Sequence, residues 1–200
     1  GKLIASNTAG VCVYLSYADS IAALGKRIER RKGSARTRLI FDRGQLSFNS
    51  GRFNSALADF KTIAASASRN GSTALQAQLA HWLYRTHVAI GNNAKTPDLM
   101  QKHFELARTA AETLSGDSRD QYVLRCMMRL AMVMEHRAIE HQAAAAEKLA
   151  AGDKPASLRL ETKRQEVLAD AVKYARKIAE TYPEQRVPDV KIGAQADGIV

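Results

Sequence analysis

Cysteine, proline and long apolar runs are scarce in this sequence, and each scarcity excludes a class of protein. Cys12 and Cys126 are the only two cysteines, too few for a disulfide framework or a four-cysteine zinc site, so we expect buried free thiols. Only four prolines are present, and runs of Val, Ile and Thr are few, which leaves little material for strands. No apolar run approaches the roughly 20 residues that a membrane-spanning helix needs.

Helix-forming residues dominate what is present. Alanine, leucine, arginine, glutamate, glutamine and lysine are abundant, and all of them favour helices. The sequence therefore predicts an all-α protein. The first ten residues have one positive charge and too short an apolar stretch for a signal peptide, so we expect a cytoplasmic protein. Export after removal of a signal is the alternative.

Apolar residues recur at helical spacing along seven segments. Turn residues separate these segments, among them Gly33 and Ser34, which we expect to end one helix and cap the next, and Gly51. Thr96, followed by a proline and an acid, is a typical helix start. The predicted helices cover residues 11–32, 35–50, 53–68, about 72–90, about 97–114, 117–151 and 156–181.

The last two predicted helices are long and joined by a short connection at residues 152–155. Such a connection predicts that the two helices lie antiparallel. Residues 183–200 contain two prolines and little periodicity, which predicts an extended or disordered tail. We therefore divide the chain into an N-terminal helix with a basic segment (1–35), a helical repeat domain (36–182) and the tail (183–200).

A repeat pattern is clearest in residues 36–69. Gly44, Gly51, Phe53, Ala56 and Phe60 occupy the small, turn, large, small and aromatic positions of a tetratricopeptide repeat, which this stretch resembles. Gly44 and Ala56 let the two helices approach closely, while Phe53 and Phe60 fill the groove between them.

Two further units follow more loosely. Alignment of the inter-helix glycine with Gly91 places Trp82, Leu83, Tyr84 and Val88 on one helix and Phe104, Ala107 and Ala111 on its partner. A third unit is indicated by Ala171, Ala175, Ile178 and Pro183. The resemblance implies an all-α, tetratricopeptide-like α-solenoid of about seven antiparallel helices with a long C-terminal helical hairpin. Chance periodicity in an alanine-rich helical bundle is the alternative.

The resemblance also implies a function. In tetratricopeptide proteins, the first helices of successive pairs line a concave groove that binds a partner peptide or helix, so we expect a protein-interaction scaffold or adaptor. Arginine and amide side chains there favour acidic groups or a C-terminal carboxylate. Phe41 replaces a lysine, and Gln45 an asparagine, of the subgroup that clamps chaperone tails, which disfavours that ligand. The groove positions are Arg38, Gln45, Asn49, Gln78, His81, Arg85, Arg125 and Arg129. A solvated polar face is the alternative for each of them.

A concentration of positive charge suggests a different function. The formal net charge is +10, and much of it lies in residues 26–43. Such a segment can bind the phosphates of nucleic acid or another anionic surface. Cations also stabilise the C-terminal end of a helix, which explains part of the cluster. The candidate anion-binding residues are Lys26, Arg27, Arg30, Arg31, Lys32 and Arg36.

Signatures of catalysis are missing. The sequence has no Gly-rich phosphate loop and no nucleophile elbow, so we expect no enzyme activity, no cofactor and no metal centre. His136 and Glu140 lie one helical turn apart, and we expect them to form a solvent-facing ion pair. A homodimer built by the long last hairpin is a further possibility.

Overall fold

The computed structural model describes the backbone of residues 2–6, 12–70 and 73–182, and the side chains of residues 16–66 and 73–182. Seven helices dominate these residues, which confirms the helical class expected from the composition. The chain divides into two units, Gly1–Ile90 and Gly91–Val200. The predicted tail at 183–200 lies outside the described residues.

The elements are numbered in chain order. Two strands precede the helices, and the last two helices are the longest, with 34 and 28 residues. The strands are β1 (Lys2–Ser6) and β2 (Cys12–Leu15), and the helices are α1 (Tyr17–Glu29), α2 (Gly33–Asn49), α3 (Phe53–Asn70), α4 (Thr73–Asn92), α5 (Pro97–Glu112), α6 (Asp117–Ala150) and α7 (Lys154–Thr181).

The start of the first helix differs from the prediction. Residues 12–15 form β2, which pairs antiparallel with β1 so that Leu3 faces Tyr14 across the ladder. Valine and tyrosine fit a pleated strand well, and this preference outweighs their helical spacing with later residues. Helix α1 begins at Tyr17, after Ser16, whose hydroxyl accepts a hydrogen bond from the Asp19 amide at 3.2 Å. The predicted start at residue 11 is therefore wrong.

The junction between α1 and α2 also differs. Helix α1 ends at Glu29 instead of residue 32, and α2 already includes Gly33 and Ser34. Gly33 has a φ of +59°, a left-handed conformation that glycine adopts without steric cost, so the chain turns at this residue. Lys32 is the N-cap of α2 and makes no side-chain capping bond. Ser34 is therefore not the cap that the sequence predicted.

The α2–α3 pair forms the centre of the first unit. Gly51 has a φ of +78° in the turn, where the Arg52 amide donates to the Ser47 carbonyl at 2.8 Å. Ala56 and Phe60 are fully buried. A Cβ atom at Gly44 would lie 2.7 Å from Phe60 Cε1, so the missing side chain is what admits the ring. The predicted close approach is confirmed at Gly44, and Ala56 is buried in the same unit.

The second unit contains a similar contact in a different register from the one predicted. Gly91 lies inside the last turn of α4, and a Cβ atom there would come within 2.6 Å of Phe104 Cε1. Phe104 is the eighth residue of α5, as Phe60 is of α3. Gly91 is thus a close-packing glycine and not the inter-helix turn that the alignment assumed, because the helix continues to Asn92.

Helices α5, α6 and α7 build the rest of the second unit. Thr96 caps α5 by accepting from the Leu99 amide, and Pro97 and Asp98 occupy its first turn, as predicted. Helix α6 is 34 residues long and packs against both α5 and α7. Leu130 and Val133 of α6 join Phe104 in one core cluster. None of the helices in the described part of the chain is long and apolar enough to cross a membrane.

Candidate functional site

Trp82 of α4 is the centre of an aromatic cluster in the first unit. Its ring meets the edge of Phe48 at a centroid distance of 5.4 Å and stacks on Phe60 at 5.8 Å. His81 lies 6.1 Å from the same ring. Phe60 is fully buried, whereas Phe48 and Trp82 are half-buried and so reach the surface. The cluster links the core of this unit to the face formed by α2 and α4.

Arg85 lies over two rings of this cluster. Its guanidinium carbon lies 5.0 Å from the centroid of Phe48 and 4.7 Å from that of Trp82. Such cation–π contacts contribute about 0.5–1 kcal/mol each at exposed sites and fix the orientation of the side chain. Among the residues whose side chains are described, no carboxylate pairs with Arg85, and the residue is exposed. We call Phe48, His81, Trp82 and Arg85 the aromatic–arginine site.

The charge state of His81 follows from its surroundings. Burial lowers the pKa of His81 below its ordinary value of 6.5, and the positive charge of Arg85 lowers it further. The imidazole is therefore neutral at physiological pH. The site then carries a single cation at Arg85 beside a neutral ring that has both a donor and an acceptor nitrogen.

The predicted groove residues do not all come together. In the first unit, Arg38, Asn49 and Gln78 are exposed and Gln45 is half-buried, whereas His81 and Arg85 both contact Trp82. Arg125 and Arg129 belong to the second unit. Their inclusion in one groove with the other six residues stays a prediction.

Arg129 has a packing role in the second unit. Its guanidinium lies 5.8 Å from the Phe104 ring centroid, and its buried Nε atom has no hydrogen-bond partner among the described residues. Arg125, one helical turn earlier, is exposed. A substitution of Arg129 would therefore disturb the core around Phe104 as well as any ligand contact, which makes it a poor probe of binding.

Phe48 and Trp82 are not among the site residues predicted from the sequence, although both reach the surface. The available signal was the spacing of Trp82 and Arg85, which places an aromatic ring and a cation on one helix face. The contribution of Phe48 comes from α2, so only the packing of α2 against α4 brings it to this face.

The predicted anion-binding residues form a second candidate surface in the first unit. Lys26, Arg27, Arg30, Arg31, Lys32 and Arg36 are all exposed. Arg43, which ends the basic segment, behaves differently because it donates two hydrogen bonds to Asp59, from Nε at 2.9 Å and from Nη2 at 2.5 Å. Asp59 is buried, so this pair belongs to the core of the unit.

A cleft of about 300 Å³ opens in the second unit between α5 and α7. Met134 of α6 contributes to it, and Arg125 and Arg129 do not line it. Lys173 in its wall pairs with Asp170 at 2.8 Å. The remaining lining residues are Gln101, Arg108, Tyr174 and Lys177.

His136 and Glu140 are exposed, and His136 Nε2 lies 3.6 Å from Glu140 Oε1, so the two side chains are neighbours on the helix surface as the spacing predicted. No group of His, Cys, Asp and Glu side chains within the described residues is arranged to hold a metal ion.

Comparison with protein-family models, with curated proteins and with solved structures finds no match to this chain.

Proposed function

We propose that this chain is a protein-interaction scaffold that binds an acidic peptide or helix at the aromatic–arginine site. The observation behind the proposal is the position of Arg85, whose guanidinium lies over Phe48 and Trp82 without a carboxylate partner among the described side chains. A partner carboxylate would complete a charge-assisted hydrogen bond to an arginine that is already oriented. Preorganisation of this kind reduces the entropy lost on binding.

The site combines the two features of a peptide-binding surface. The exposed edges of Phe48 and Trp82 offer apolar area, and tryptophan and arginine are the residue types that most often dominate binding energy. Arg38, Asn49 and Gln78 provide exposed polar side chains in the same unit. In this proposal, the aromatic rings contact an apolar side chain of the partner while Arg85 binds a neighbouring carboxylate. Neither catalysis nor a cofactor is required.

The proposed architecture is a short tetratricopeptide-like stack of antiparallel helices that ends in the α6–α7 hairpin. Its support is the recurrence of one contact: a phenylalanine at the eighth position of a helix presses on a glycine of the preceding helix, at Phe60 with Gly44 and at Phe104 with Gly91. A contact that recurs within successive helical pairs is typical of repeat proteins.

A peptide-display selection against the full chain tests the proposed function. We expect enriched peptides that carry acidic residues next to an aromatic or aliphatic one, and we expect calorimetry with the best peptide to show binding. Arg85→Glu should weaken this binding by at least about tenfold, because it removes an attractive charge and introduces a repulsive one.

The matched control is Lys61→Glu, which makes the same charge change at an exposed position on α3 of the same unit. It should leave the affinity within about twofold. If both variants lost the same peptide affinity, the change in net charge would explain the loss, and Arg85 would not be part of the binding site. Circular dichroism of both variants checks that the fold is intact.

A further inference from the structure

The strongest concentration of positive charge in the sequence lies outside the aromatic–arginine site. We call the exposed residues Lys26, Arg27, Arg30, Arg31, Lys32 and Arg36 the basic patch. Glu29 is the one acidic residue within this segment, so the segment carries half of the formal net charge of +10. The patch spans the end of α1, the connection and the start of α2.

None of these six cations is neutralised inside the described part of the protein. Their side chains make no ion pair there, although Glu29 and Asp42 are close in sequence. Arg43 shows the contrast, because its two hydrogen bonds to the buried Asp59 make it a structural cation. The six patch residues therefore repel one another at a cost to stability.

Helix stabilisation accounts for only part of the patch. Lys26 and Arg27 lie in the last turn of α1, where a cation interacts favourably with the helix dipole. Lys32 occupies the N-cap position of α2 and Arg36 lies in its first turn, where the dipole disfavours positive charge. Helix α2 has no acidic residue in its first turn to compensate. A binding role explains cations at both helix ends.

The neighbours of the cations identify the kind of anion. Ile28 is buried, and the other uncharged residues of the segment are the small or polar Gly33, Ser34 and Ala35. The patch thus lacks an exposed apolar side chain to insert into a bilayer and an aromatic ring to stack on an unpaired base. Consecutive cations such as Lys26 and Arg27 also project around the helix instead of along one flat face.

We propose that the basic patch binds the phosphate backbone of a double-stranded nucleic acid without reading its sequence. A duplex presents one negative charge for about every 1.7 Å of its axis, so several exposed cations can contact phosphates at the same time. Four of the six patch residues are arginines, whose planar guanidinium groups bind phosphate oxygens in pairs.

Fluorescence anisotropy with the full chain and a labelled DNA duplex of about 20 base pairs tests the proposal at about 50 mM salt and above. The same measurement with an RNA duplex of the same sequence shows whether the patch prefers the DNA or the RNA backbone. We expect binding that weakens steeply with salt, with a slope of log K against log salt no steeper than about −5 for six phosphate contacts. Scrambling the sequence should change the affinity less than about threefold.

The patch variant combines Arg30→Gln, Arg31→Gln and Lys32→Gln. It should lower the affinity at least about tenfold and make the salt slope shallower by about 3, one unit for each lost contact. The control removes the same charge from exposed positions on α7, with Arg159→Gln, Lys163→Gln and Arg176→Gln. It should retain the salt slope of the unmodified chain.

Three results would overturn the proposal. The first is no binding of either duplex at about 50 mM salt, where backbone contacts are strong. The second is an equal loss of duplex affinity in the patch and control variants, because net charge alone would then explain the binding. The third is binding to vesicles with anionic lipid headgroups under conditions in which both duplexes stay free.

Discussion

The Phe60 ring lies against the backbone of α2 at Gly44, so close that a Cβ atom at Gly44 would sit 2.7 Å from Phe60 Cε1. Phe60 is fully buried and also stacks on Trp82, so the ring has no space into which it can retreat. The same relationship between Gly91 and Phe104 in the second unit shows that a missing side chain is a packing requirement in both units.

Gly44→Ala tests this requirement. Alanine favours a helix over glycine by about 1 kcal/mol, but overpacking a core costs about 1–3 kcal/mol, so we expect a net loss of unfolding free energy. Urea denaturation followed by circular dichroism measures it. Gly91→Ala should behave in the same way, because its Cβ atom would meet Phe104 at 2.6 Å.

Gly25→Ala is the matched control for that experiment. A Cβ atom at Gly25 of α1 would meet only Arg43 Nη1, at the ordinary contact distance of 3.9 Å. The difference in helix propensity between alanine and glycine then acts alone. This variant should be as stable as the unmodified chain or more stable by up to about 1 kcal/mol. If Gly44→Ala were also stabilising, the ring would not be confined as described.

The Arg43–Asp59 pair provides a second prediction, on stability. Asp59 is 6% exposed, while the Arg43 side chain is 31% exposed. Asp59→Leu leaves a partly buried guanidinium without its partner, and we expect a loss of about 3 kcal/mol in the unfolding free energy from urea denaturation, the lower end for a broken buried pair because Arg43 still contacts solvent. The double variant Arg43→Met with Asp59→Leu should recover at least half of that loss, because it removes both charges from the core. A double variant no more stable than Asp59→Leu alone would contradict this account.

Cys126 should be chemically inert in the folded protein. Burial raises the pKa of its thiol from 9.0 to about 12, against the opposing effect of Arg129 and Arg108. At pH 8, the thiolate fraction is then about 10⁻⁴, compared with about 0.1 for an exposed thiol. In a Cys12→Ser background, Ellman's reagent should label folded protein about 10³ times more slowly than urea-unfolded protein. Comparable rates would show that the thiol is accessible.

The proximity of Arg85 to His81 predicts a pH effect. Arg85→Gln removes one of the two causes that lower the His81 pKa, so the pKa should rise while burial still holds it below 6.5. An NMR titration of the imidazole, assigned with His81→Gln, measures the change. Arg52→Gln on the same unit should not move it.

The lowered His81 pKa also fixes the direction of a stability effect. The folded chain binds this proton less tightly than the unfolded chain, whose imidazole titrates near 6.5. The unfolding free energy should therefore fall as the pH drops through 6.5 toward the lower folded pKa. His81→Gln should reduce this dependence. An unchanged pH profile in that variant would contradict the assignment.

Local patterns predicted most helix boundaries within about one turn, because caps and breakers act on neighbouring residues. Thr96 with Pro97, and Gly51 in its turn, are examples that agree with the structure. The wrong predictions concern the start of the first helix, at residues 11–16, and the role of Gly91, and they have a different origin. Pairing with β1 determines the conformation of β2, and the contact with Phe104 determines the use of Gly91, so both depend on a distant segment.

Of the two candidate surfaces, one can be predicted from the sequence and the other depends on the tertiary structure. The basic patch is visible in the sequence because its cations are consecutive on one chain segment, and the structure adds their exposure and the separate role of Arg43. The aromatic–arginine site combines Phe48 of α2 with Trp82 and Arg85 of α4. Because these residues are far apart in sequence, no local pattern predicts their contact.

The sequence by itself determined the helical class, the positions of most helices and the location of the positive charge, since these follow from propensity, capping and composition. Tertiary structure alone decided which glycines face aromatic rings and which arginines remain at the surface. Arg85 and Arg129 both lie over aromatic rings, yet Arg85 is exposed while Arg129 has a buried Nε. The physical reason is that burial depends on the helices packed around a residue, and its own neighbours along the chain do not fix that packing.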